Sequence, residues 1–379
     1  MRLYSSGAAV LILLLNLVSF HDISAAQSDP RRLYIFCVES RIGIKFWRYM
    51  NVWNQSLTQL RSDHNVRVNI LQARWDSKST TKFLAKPLSY LAAVNAVKTE
   101  ETRAGRNVND AHVILIDSDT LWTNPTVHDV WRKYDEARNG KELVVATETN
   151  CWLGRYCSES DVYTMYANTP PAYSVFVNSG AIMGSLAAIV QMLENITTSS
   201  AMYFITTHTG QSKFDDQYAV AVYSLERPQI VALDIRQTLF GTYQVFDPQF
   251  RPGSKSPYVC RTSDKLVTNV SHDFNFHCSD ITPMVTRRSG IYVDADSCAI
   301  RRNPNNTRNS PAYPIISSMA SDPVVWHGNG GGKRLYSHHR TVVLECLLAK
   351  HGIDIEKYKC NDEGCSESND FGMTFLKSK

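Results

Sequence analysis

The sequence predicts an α/β fold in which helices flank a mixed, mostly parallel β-sheet. Apolar runs of strand length alternate with longer helix-like segments, which is typical of βαβ architecture. The chain has 379 residues, more than a single hydrophobic core usually supports, so we expect one large domain or two closely packed lobes. The alternation ends near residue 245, where a segment rich in Pro, Ser, Asn and Arg begins. We interpret that segment as a loop-rich, cysteine-containing insertion.

The predicted strands are short and mostly apolar. They cover residues 33–38, 66–71, 113–116, 143–147, 173–177 and 230–233. Apolar residues recur at helical spacing in segments 46–60, 82–97, 186–194 and 216–225. Ser185 and Asp215 are the expected N-caps of the last two helices, and Pro87 could divide the second.

The N-terminus has the features of a cleaved signal peptide covering residues 1–26. Arg2 precedes an apolar run over 8–20, and Ser24-Ala25-Ala26 supplies the small residues of a cleavage site. About 13 apolar residues fall short of the ~20 that span a bilayer, and no later segment is apolar enough to do so. We therefore expect no transmembrane helix after signal cleavage, and a location in the endoplasmic reticulum or Golgi lumen or outside the cell.

Sequons and cysteines agree with passage through an oxidising compartment. Four Asn-x-Ser/Thr sequons begin at Asn54, Asn195, Asn269 and Asn305. Nine cysteines leave at least one outside any intrachain disulfide, and Cys37, within an apolar strand, is the expected one. Local pairs are possible between Cys151 and Cys157 and between Cys360 and Cys365, while Cys260, Cys278, Cys298 and Cys346 could pair among themselves in several ways. Zinc is the alternative for Cys360 and Cys365, although their spacing is longer than Cys-x-x-Cys.

These features divide the chain into five parts. The signal peptide (1–26) precedes an α/β core over 27–245, the insertion covers 246–322, and the core resumes over 323–365. A polar tail over 366–379 is expected to be poorly ordered. The formal net charge of +4 is too small to indicate nucleic acid as a partner.

Asp117-Ser118-Asp119 follows the apolar strand 113–116. Strand side chains alternate, so carboxylates two residues apart project to the same side and could hold one hard cation. In open α/β sheets, ligands bind beyond the carboxyl ends of the strands, which is where this pair is predicted to lie. The alternative is a solvated turn whose carboxylates cap backbone groups.

Two further segments carry residues suited to a diphosphate and a sugar. The segment 325–333 combines His327, a glycine-rich stretch and Lys333, which suits a diphosphate beside a metal, or else a flexible loop with a structural histidine. Asp215 and Asp216 at a predicted helix start could bind sugar hydroxyls or act as a general base, although the helix dipole explains them equally well. Trp75 could stack on a base or sugar, whereas Trp47 and Trp53 are expected in the core.

Taken in order, these motifs resemble the N-terminal glycosyltransferase domain of the procollagen lysyl hydroxylase family. The resemblance rests on Asp117-Ser118-Asp119, Asn178-Ser179-Gly180, Asp215-Asp216-Gln217, Leu233-Asp234 and His327-Gly328-Asn329-Gly330, and it covers roughly residues 33–348. It implies a GT-A-like, Rossmann-type fold. It also implies a hexosyltransferase that moves glucose or galactose from a UDP-sugar to a glycoprotein or hydroxylysine-type acceptor.

The resemblance assigns a role to each matching residue. It implies that Asp117, Asp119 and His327 bind Mn(II), with Mg(II) as the alternative. It further implies that Ser40 and Trp75 contact the nucleotide, that Lys333 meets the pyrophosphate, that Asp215 and Asp216 face the transferred sugar or acceptor, and that Asn178 lines the same cleft. Lys82, or alternatively Lys86, would be a further donor contact.

The sequence departs from the family at several positions. It has Asp-x-Asp where Asp-x-x-Asp is common, Ala181 in place of a second glycine, and Gly241 in place of a glutamine. The hydroxylase region does not follow, so we expect no lysyl hydroxylation. Two alternatives are a secreted or surface recognition protein that has lost catalysis on this fold, and a metal-dependent phosphohydrolase, which would need more clustered His and Asp ligands.

Overall fold

The structure of the chain is a computed structural model with a seven-stranded central sheet. It describes residues 29–39, 53–54, 56–72, 82–148, 176–198, 215–243, 260–262, 265–267, 291–294, 298–302, 320, 322–328, 336, 339–340, 342–343, 346, 360–361, 364–365 and 374–377. The predicted signal peptide, the predicted disulfide between Cys151 and Cys157, and Trp47 lie outside these residues.

The central sheet is mixed and mostly parallel, as predicted. Its strands are β1 (Arg32–Glu39), β2 (Val66–Gln72), β3 (Ala111–Asp117), β5 (Leu143–Glu148), β6 (Phe176–Ser185), β7 (Val231–Leu233) and β16 (Thr374–Lys377), in the order β16-β2-β1-β3-β6-β5-β7. Only β6 pairs antiparallel to both of its neighbours. The first residues of β6 therefore lie at the same edge of the sheet as the carboxyl ends of β1, β3 and β5.

Helices cover both faces of the sheet, which explains the continuous apolar strands. They are α1 (Thr58–Arg61), α2 (Lys82–Arg103), α3 (Val127–Arg138), α4 (Leu186–Ile196) and α5 (Asp216–Glu226). On β1, Tyr34 and Phe36 pack in the cluster formed with α2, α4 and α5, whereas Ile35 and Cys37 pack in the cluster formed with α3 and Trp53. This alternation puts successive strand residues into two separate cores. As expected, Trp53 is a core residue and Cys37 is buried and carries a thiol rather than a disulfide.

The ends of the helices follow the predicted capping residues. The Ser185 hydroxyl accepts from the Ala188 N–H at the start of α4, and the Asp215 carboxylate accepts from the first turn of α5. The expectation that Pro87 divides the second helix is wrong, because α2 is continuous from Lys82 to Arg103. Pro87 lies in the second turn, where its missing N–H removes only one bond near the helix start.

The strand predicted over 173–177 extends further than expected, and residues 173–175 lie outside the described residues. β6 covers Phe176 to Ser185, so Asn178-Ser179-Gly180, which follows the predicted strand, lies within β6. Pairing with both β3 and β5 holds this polar segment in the sheet. Tertiary hydrogen bonding therefore overrides the local turn signal of Asn-Ser-Gly.

A second sheet of three strands lies beside the carboxyl edge of the central sheet. It consists of β4 (Thr120–Trp122), β13 (Val325–His327) and β8 (Phe240–Thr242), with β13 in the middle. β13 pairs antiparallel to β4, so that His327 lies opposite Thr120, and parallel to β8, so that His327 lies opposite Thr242. His327 therefore lies opposite Thr120, the residue that directly follows the Asp-Ser-Asp motif.

The described residues of the region predicted as a loop-rich insertion include two short hairpins. They are β9 (Cys260–Thr262) with β10 (Lys265–Val267) and β11 (Ile291–Val293) with β12 (Ile300–Arg302). A disulfide joins Cys298 to Cys346, which resolves one of the pairings left open by the sequence. β14 (Cys360–Asn361) and β15 (Gly364–Cys365) pair with Cys360 opposite Cys365, an arrangement compatible with the predicted local disulfide.

Part of the predicted polar tail, Thr374–Lys377, is described as a strand. These residues form β16, which pairs in parallel with β2 at the edge of the central sheet. An edge strand presents unpaired N–H and C=O groups that can recruit an extended segment. Within the part of the chain that the structure describes, no helix is long and apolar enough to cross a membrane.

The sequon at Asn54 does not lie on the surface. Asn54 is 3% exposed, and its side-chain oxygen accepts a hydrogen bond from Arg61. A glycan on this side chain is incompatible with that packing. Asn195, near the end of α4, is exposed and remains a possible acceptor.

Candidate functional site

Four of the residues predicted from the sequence meet beyond the carboxyl edge of the central sheet. Asp117 ends β3, Asn178 lies near the start of β6, Asp216 begins α5, and His327 ends β13. The parallel sheet brings strand ends to one edge, and the antiparallel β6 contributes its beginning to the same edge. This is the position at which open α/β sheets bind ligands.

Lys86 lies between the two carboxylates of this site. Its Nζ is 2.8 Å from Asp117 Oδ1 and 2.8 Å from Asp216 Oδ2, and it donates to the Ser179 carbonyl over 3.2 Å. Burial by itself would lower the pKa of Lys86, but the charges of Asp117 and Asp216 outweigh that effect and raise the pKa above 10.5. Lys86 is therefore an ammonium ion at neutral pH and neutralises part of the negative charge of the site.

Asp215 and Asp216 have different surroundings despite being adjacent. Asp215 Oδ1 accepts from the backbone N–H groups of Gln217 and Tyr218 over 3.0 and 3.1 Å, as an N-cap does. Burial, assisted by the charge of Asp216, raises the pKa of Asp215. The Asp216 side chain is only 9% exposed and accepts from Ser179 Oγ over 2.8 Å in addition to its contact with Lys86. Asp216 is therefore the member of the pair that faces the charged centre of the site.

His327 is oriented by Asn178. The Gly180 N–H donates to Asn178 Oδ1 over 2.8 Å, which fixes that atom as the carbonyl oxygen of the amide. His327 Nδ1 lies 3.0 Å from the same oxygen, so Nδ1 must carry a proton and donate it. In the neutral ring, Nε2 is then the acceptor nitrogen, and it faces Asp117 Oδ2 at 3.7 Å. This tautomer is the one that binds a metal through Nε2.

Gly180 has no side chain because the imidazole of His327 occupies that space. A Cβ atom at position 180 would lie 2.1 Å from His327 Cε1 and 2.6 Å from Nδ1. Gly328 is similarly enclosed, since a Cβ atom there would lie 2.4 Å from the Tyr336 ring. Both glycines are therefore required by close packing around the site.

The turn that carries the Asp-Ser-Asp motif is held by backbone contacts. Thr120 Oγ1 donates to the Asp117 carbonyl over 2.7 Å, and Gly328 N–H donates to the Asp119 carbonyl over 2.7 Å. The Tyr336 hydroxyl donates to the Ser118 carbonyl over 3.3 Å. These contacts come from β4, from the residue after β13 and from the C-terminal segment, so the turn is fixed from several sides.

The predicted metal ligands fit a cation in part. Asp117 Oδ2 and His327 Nε2 are 3.7 Å apart, close enough for both to reach one ion with bonds of about 2.1 Å. The carboxylate and imidazole suit Mn(II), and the hydrogen bond from His327 to Asn178 is typical of a metal-binding histidine. Among the described residues, no group of three His, Cys, Asp or Glu side chains is already arranged to hold an ion. The metal site, including Asp119, stays a prediction.

Several predicted site residues cannot be placed. Ser40, Trp75 and Lys333 lie outside the described residues, and Lys82 is described only as the first residue of α2. Lys86, the alternative to Lys82 as a donor contact, contacts the carboxylates of Asp117 and Asp216. Lys86 lies one helical turn after Lys82, and this spacing places the two residues on the same face of α2. The contact between Gln217 Nε2 and the buried Glu148 Oε1, over 2.7 Å, was not anticipated.

Comparison with known proteins leaves the family open. No family model and no curated protein matches the chain. Similar solved structures include mouse xyloside xylosyltransferase 1, with 11% identity and a TM-score of 0.36 over 79% of this chain and 97% of that chain. A glycosyltransferase involved in glycosylation of the major capsid of PBCV-1 has 9% identity and a TM-score of 0.38 over 82% of this chain and 98% of that chain. A 4-diphosphocytidyl-2C-methyl-D-erythritol synthase from Anaerococcus prevotii has 10% identity and a TM-score of 0.27 over 54% of this chain and 89% of that chain. Likenesses this weak decide neither the family nor the activity of this chain.

Proposed function

We propose that this protein is a metal-dependent glycosyltransferase that moves a hexose, glucose or galactose, from a UDP-sugar to a glycoprotein or hydroxylysine-type acceptor. One observation carries the proposal. The Asp117 carboxylate has one oxygen at the Lys86 ammonium and the other facing His327 Nε2, while Lys86 also contacts Asp216. The Asp117 carboxylate therefore links the proposed metal-binding pair, Asp117 and His327, to the ion pair of Lys86 with Asp216. This link lies at the edge of the sheet where ligands bind.

Each residue has a defined task in the proposed reaction. Asp117 and His327, together with Asp119, hold Mn(II) or Mg(II), and Asn178 keeps the His327 ring in the tautomer that presents Nε2. The bound ion supplies electrostatic stabilisation of the leaving UDP. Asp216 accepts hydrogen bonds from hydroxyl groups of the transferred sugar or the acceptor, and Lys86 holds its carboxylate in place. Lys333 is assigned to the pyrophosphate, Ser40 and Trp75 to the nucleotide, and Lys82 to the donor.

The proposed location is the lumen of the secretory pathway or the extracellular space. The N-terminal features of a signal peptide support it. The disulfide between Cys298 and Cys346 also suits an oxidising compartment, since such bonds are rare in the cytosol.

Release of UDP from a panel of UDP-sugars tests the proposal directly. The purified protein is incubated with each sugar and Mn(II), with and without glycosylated acceptors, alongside Asp216→Asn and His327→Gln. We expect release with at least one hexose, and a loss of about 100-fold or more in both variants. Asp135→Asn is the matched control, because Asp135 is 40% exposed on α3 and pairs with Arg31 and Arg138.

The alternative outcomes separate the remaining classes of function. Absence of release with every sugar, or equal release from wild type and Asp216→Asn, would contradict catalysis at this site. Binding of UDP without turnover would instead support a recognition protein on the same fold. Release that is unaffected by removing divalent ions with a chelator would contradict the metal dependence.

A further inference from the structure

Arg302 is a buried arginine outside the central sheet, on β12. It is 1% exposed, and its Nη2 donates to Gln237 Oε1 over 2.6 Å while Nη1 donates to the Ala320 carbonyl over 3.1 Å. The guanidinium carbon lies 4.8 Å from the centroid of the Trp326 ring. Both hydrogen-bond acceptors are neutral, so the positive charge is not cancelled by the groups to which it donates.

Burial of this charge is costly. It lowers the pKa of Arg302 to about 9, against the opposing attraction of Asp234. Among the described residues, Arg302 Nε has no hydrogen-bond partner although it is buried. A buried guanidinium of this kind stabilises a fold less than an apolar side chain of similar size would. Stability alone therefore does not explain why an arginine occupies this position.

The contacts of Arg302 reach β13, which carries His327, and β8, which pairs with β13. Trp326, beneath the guanidinium, directly precedes His327 in β13. Gln237 Oε1, which accepts from Arg302, also accepts from the Thr242 N–H over 3.1 Å, and Thr242 lies opposite His327 in the pairing of β8 with β13. Gln237 has a φ of 53°, a conformation that residues other than glycine rarely adopt, and its carboxamide oxygen lies between Arg302 and Thr242.

We propose that Arg302 is a positioning residue that holds β8 and β13 together and thereby fixes the imidazole of His327 against Asn178 and Asp117. A residue of β12, outside the central sheet, would then determine the geometry of the metal site without contacting it. The inference rests on the proposed function, in which His327 is a metal ligand. The mechanical link is independent of that function and can be measured in the metal-free protein.

The first test observes the His327 ring directly. Long-range ¹H–¹⁵N spectra of the metal-free protein are recorded for wild type, Arg302→Met and Arg301→Met, with His327→Gln used to assign the signals. We expect wild type to show one tautomer, with the proton on Nδ1, and Arg302→Met to show mixed or exchange-broadened signals. Arg301→Met is the matched control, because Arg301 is the neighbouring residue on β12, is 39% exposed and lies 3.9 Å from a carboxylate oxygen of Asp322.

The second test measures Mn(II) affinity in a double-mutant cycle. Loss of a residue that orients a metal ligand weakens metal binding about tenfold or more, and we expect this for Arg302→Met. If Arg302 acts through His327, then Arg302→Met causes no further loss when added to His327→Gln. A purely structural role would weaken Mn(II) binding equally in both backgrounds.

The outcomes decide the inference in every case. A folded Arg302→Met with an unchanged His327 spectrum overturns it, as does an effect equal to that of Arg301→Met. If Arg302→Met fails to fold, Arg302→Lys decides, since lysine keeps the charge but cannot bridge Gln237 and Ala320 with a planar group. If wild type binds no Mn(II), the proposed function fails, whereas the spectra still report whether Arg302 positions His327.

Discussion

The Lys86 ammonium lies 2.8 Å from the Asp216 carboxylate, in a part of the site where the two side chains are only 16% and 9% exposed. The same ammonium is 2.8 Å from Asp117. A cation shared by two carboxylates links the predicted metal site to the start of α5. The arrangement makes Lys86 the electrostatic centre of the site, although Lys86 belongs to none of the sequence motifs that carry Asp117, Asp216 or His327.

Replacing Lys86 by methionine should destabilise the protein at neutral pH. The change leaves Asp117 and Asp216 close together without their counter-ion, which costs about 2 to 4 kcal/mol. Because the folded state raises the pKa of Lys86 above 10.5, the contribution of its charge is complete at neutral pH and is lost only as the pH rises through that raised value. Urea unfolding of wild type and variant between pH 6 and 10 measures this difference.

Two matched variants make the Lys86 experiment specific. Lys86→Arg keeps the charge and should retain most of the stability. Lys98→Met removes an exposed lysine from the same helix and should change the free energy of unfolding by less than about 0.5 kcal/mol. Equal stability of Lys86→Met and wild type would show that the two ion pairs contribute nothing net.

Introducing a methyl group at Gly180 should displace His327. The new Cβ would lie 2.1 Å from His327 Cε1, so the ring must leave its position between Asn178 and Asp117. We expect Gly180→Ala to weaken Mn(II) binding about 10- to 100-fold and to lower the free energy of unfolding by about 1 to 3 kcal/mol. Calorimetric titration and thermal unfolding measure the two effects.

Gly184→Ala is the control for Gly180→Ala. It lies on the same strand, and its Cβ would collide with Leu143 Cδ2 at 2.4 Å and with the Glu142 carbonyl at 2.8 Å. It should therefore lose stability without changing Mn(II) affinity. If both variants lower metal affinity equally, the effect is general strain and the role assigned to the His327 ring is wrong.

Asp234 should make stability depend on pH in the acid range. Burial raises the pKa of Asp234 from 3.8 to about 6, even though three backbone N–H groups donate to its carboxylate and act in the opposite direction. The folded protein therefore holds this proton more tightly than the unfolded chain. The resulting stability is complete below pH 3.8 and is lost as the pH rises through about 6.

The size of this effect follows from the shift. About two pKa units correspond to about 3 kcal/mol. The free energy of unfolding of wild type minus that of Asp234→Asn should therefore fall by this order between pH 4 and 7, measured by urea unfolding at each pH. Asp135→Asn, which replaces an exposed carboxylate, is the control for the substitution itself. A wild-type advantage that stays level or grows over this range would contradict the raised pKa.

Removal of the disulfide between Cys298 and Cys346 should loosen the C-terminal segment. The two cysteines are 48 residues apart, for which loop-closure entropy predicts about 4 kcal/mol, and measured values often fall to about 2. The double variant Cys298→Ala/Cys346→Ala should show this loss in urea unfolding without reductant. Dithiothreitol should destabilise wild type more than the variant, because only wild type has this bond to lose.

Cys37→Ala provides the comparison for the disulfide variant. Cys37 is fully buried and carries a thiol, so its replacement should destabilise the protein by core packing alone and equally with or without reductant. If reductant leaves wild-type stability unchanged, the disulfide contributes nothing, and Tyr336 must be held against the Ser118 carbonyl by packing.

Much of the central sheet could be predicted because its strands are specified locally. The run Val113 to Ile116 is apolar on both faces, and its burial between two helical layers follows from that pattern alone. The N-caps Ser185 and Asp215 were predictable for the same reason, since a cap satisfies backbone groups within its own first turn. The sequence likewise placed Asp117 at the end of a strand.

Contacts between distant segments could not be predicted in this way. Asn178 and His327 are 149 positions apart, and only the meeting of β6 with β13 lets one fix the tautomer of the other. The strand pairing of β6 also kept Asn178-Ser179-Gly180 in the sheet against its local turn signal. The contact of Lys86 with two carboxylates depends on where α2 lies against Asp117 and Asp216.

The sequence by itself determined the fold class, the carboxylates at a strand end and the candidate ligands, because apolar periodicity and side-chain chemistry are local properties. The tertiary structure decided which of these groups form hydrogen bonds or ion pairs with one another. Hydrogen bonds and ion pairs act only over a few ångströms, so Lys86 between Asp117 and Asp216, and His327 against Asn178 and Gly180, exist only once the sheets have brought distant segments together.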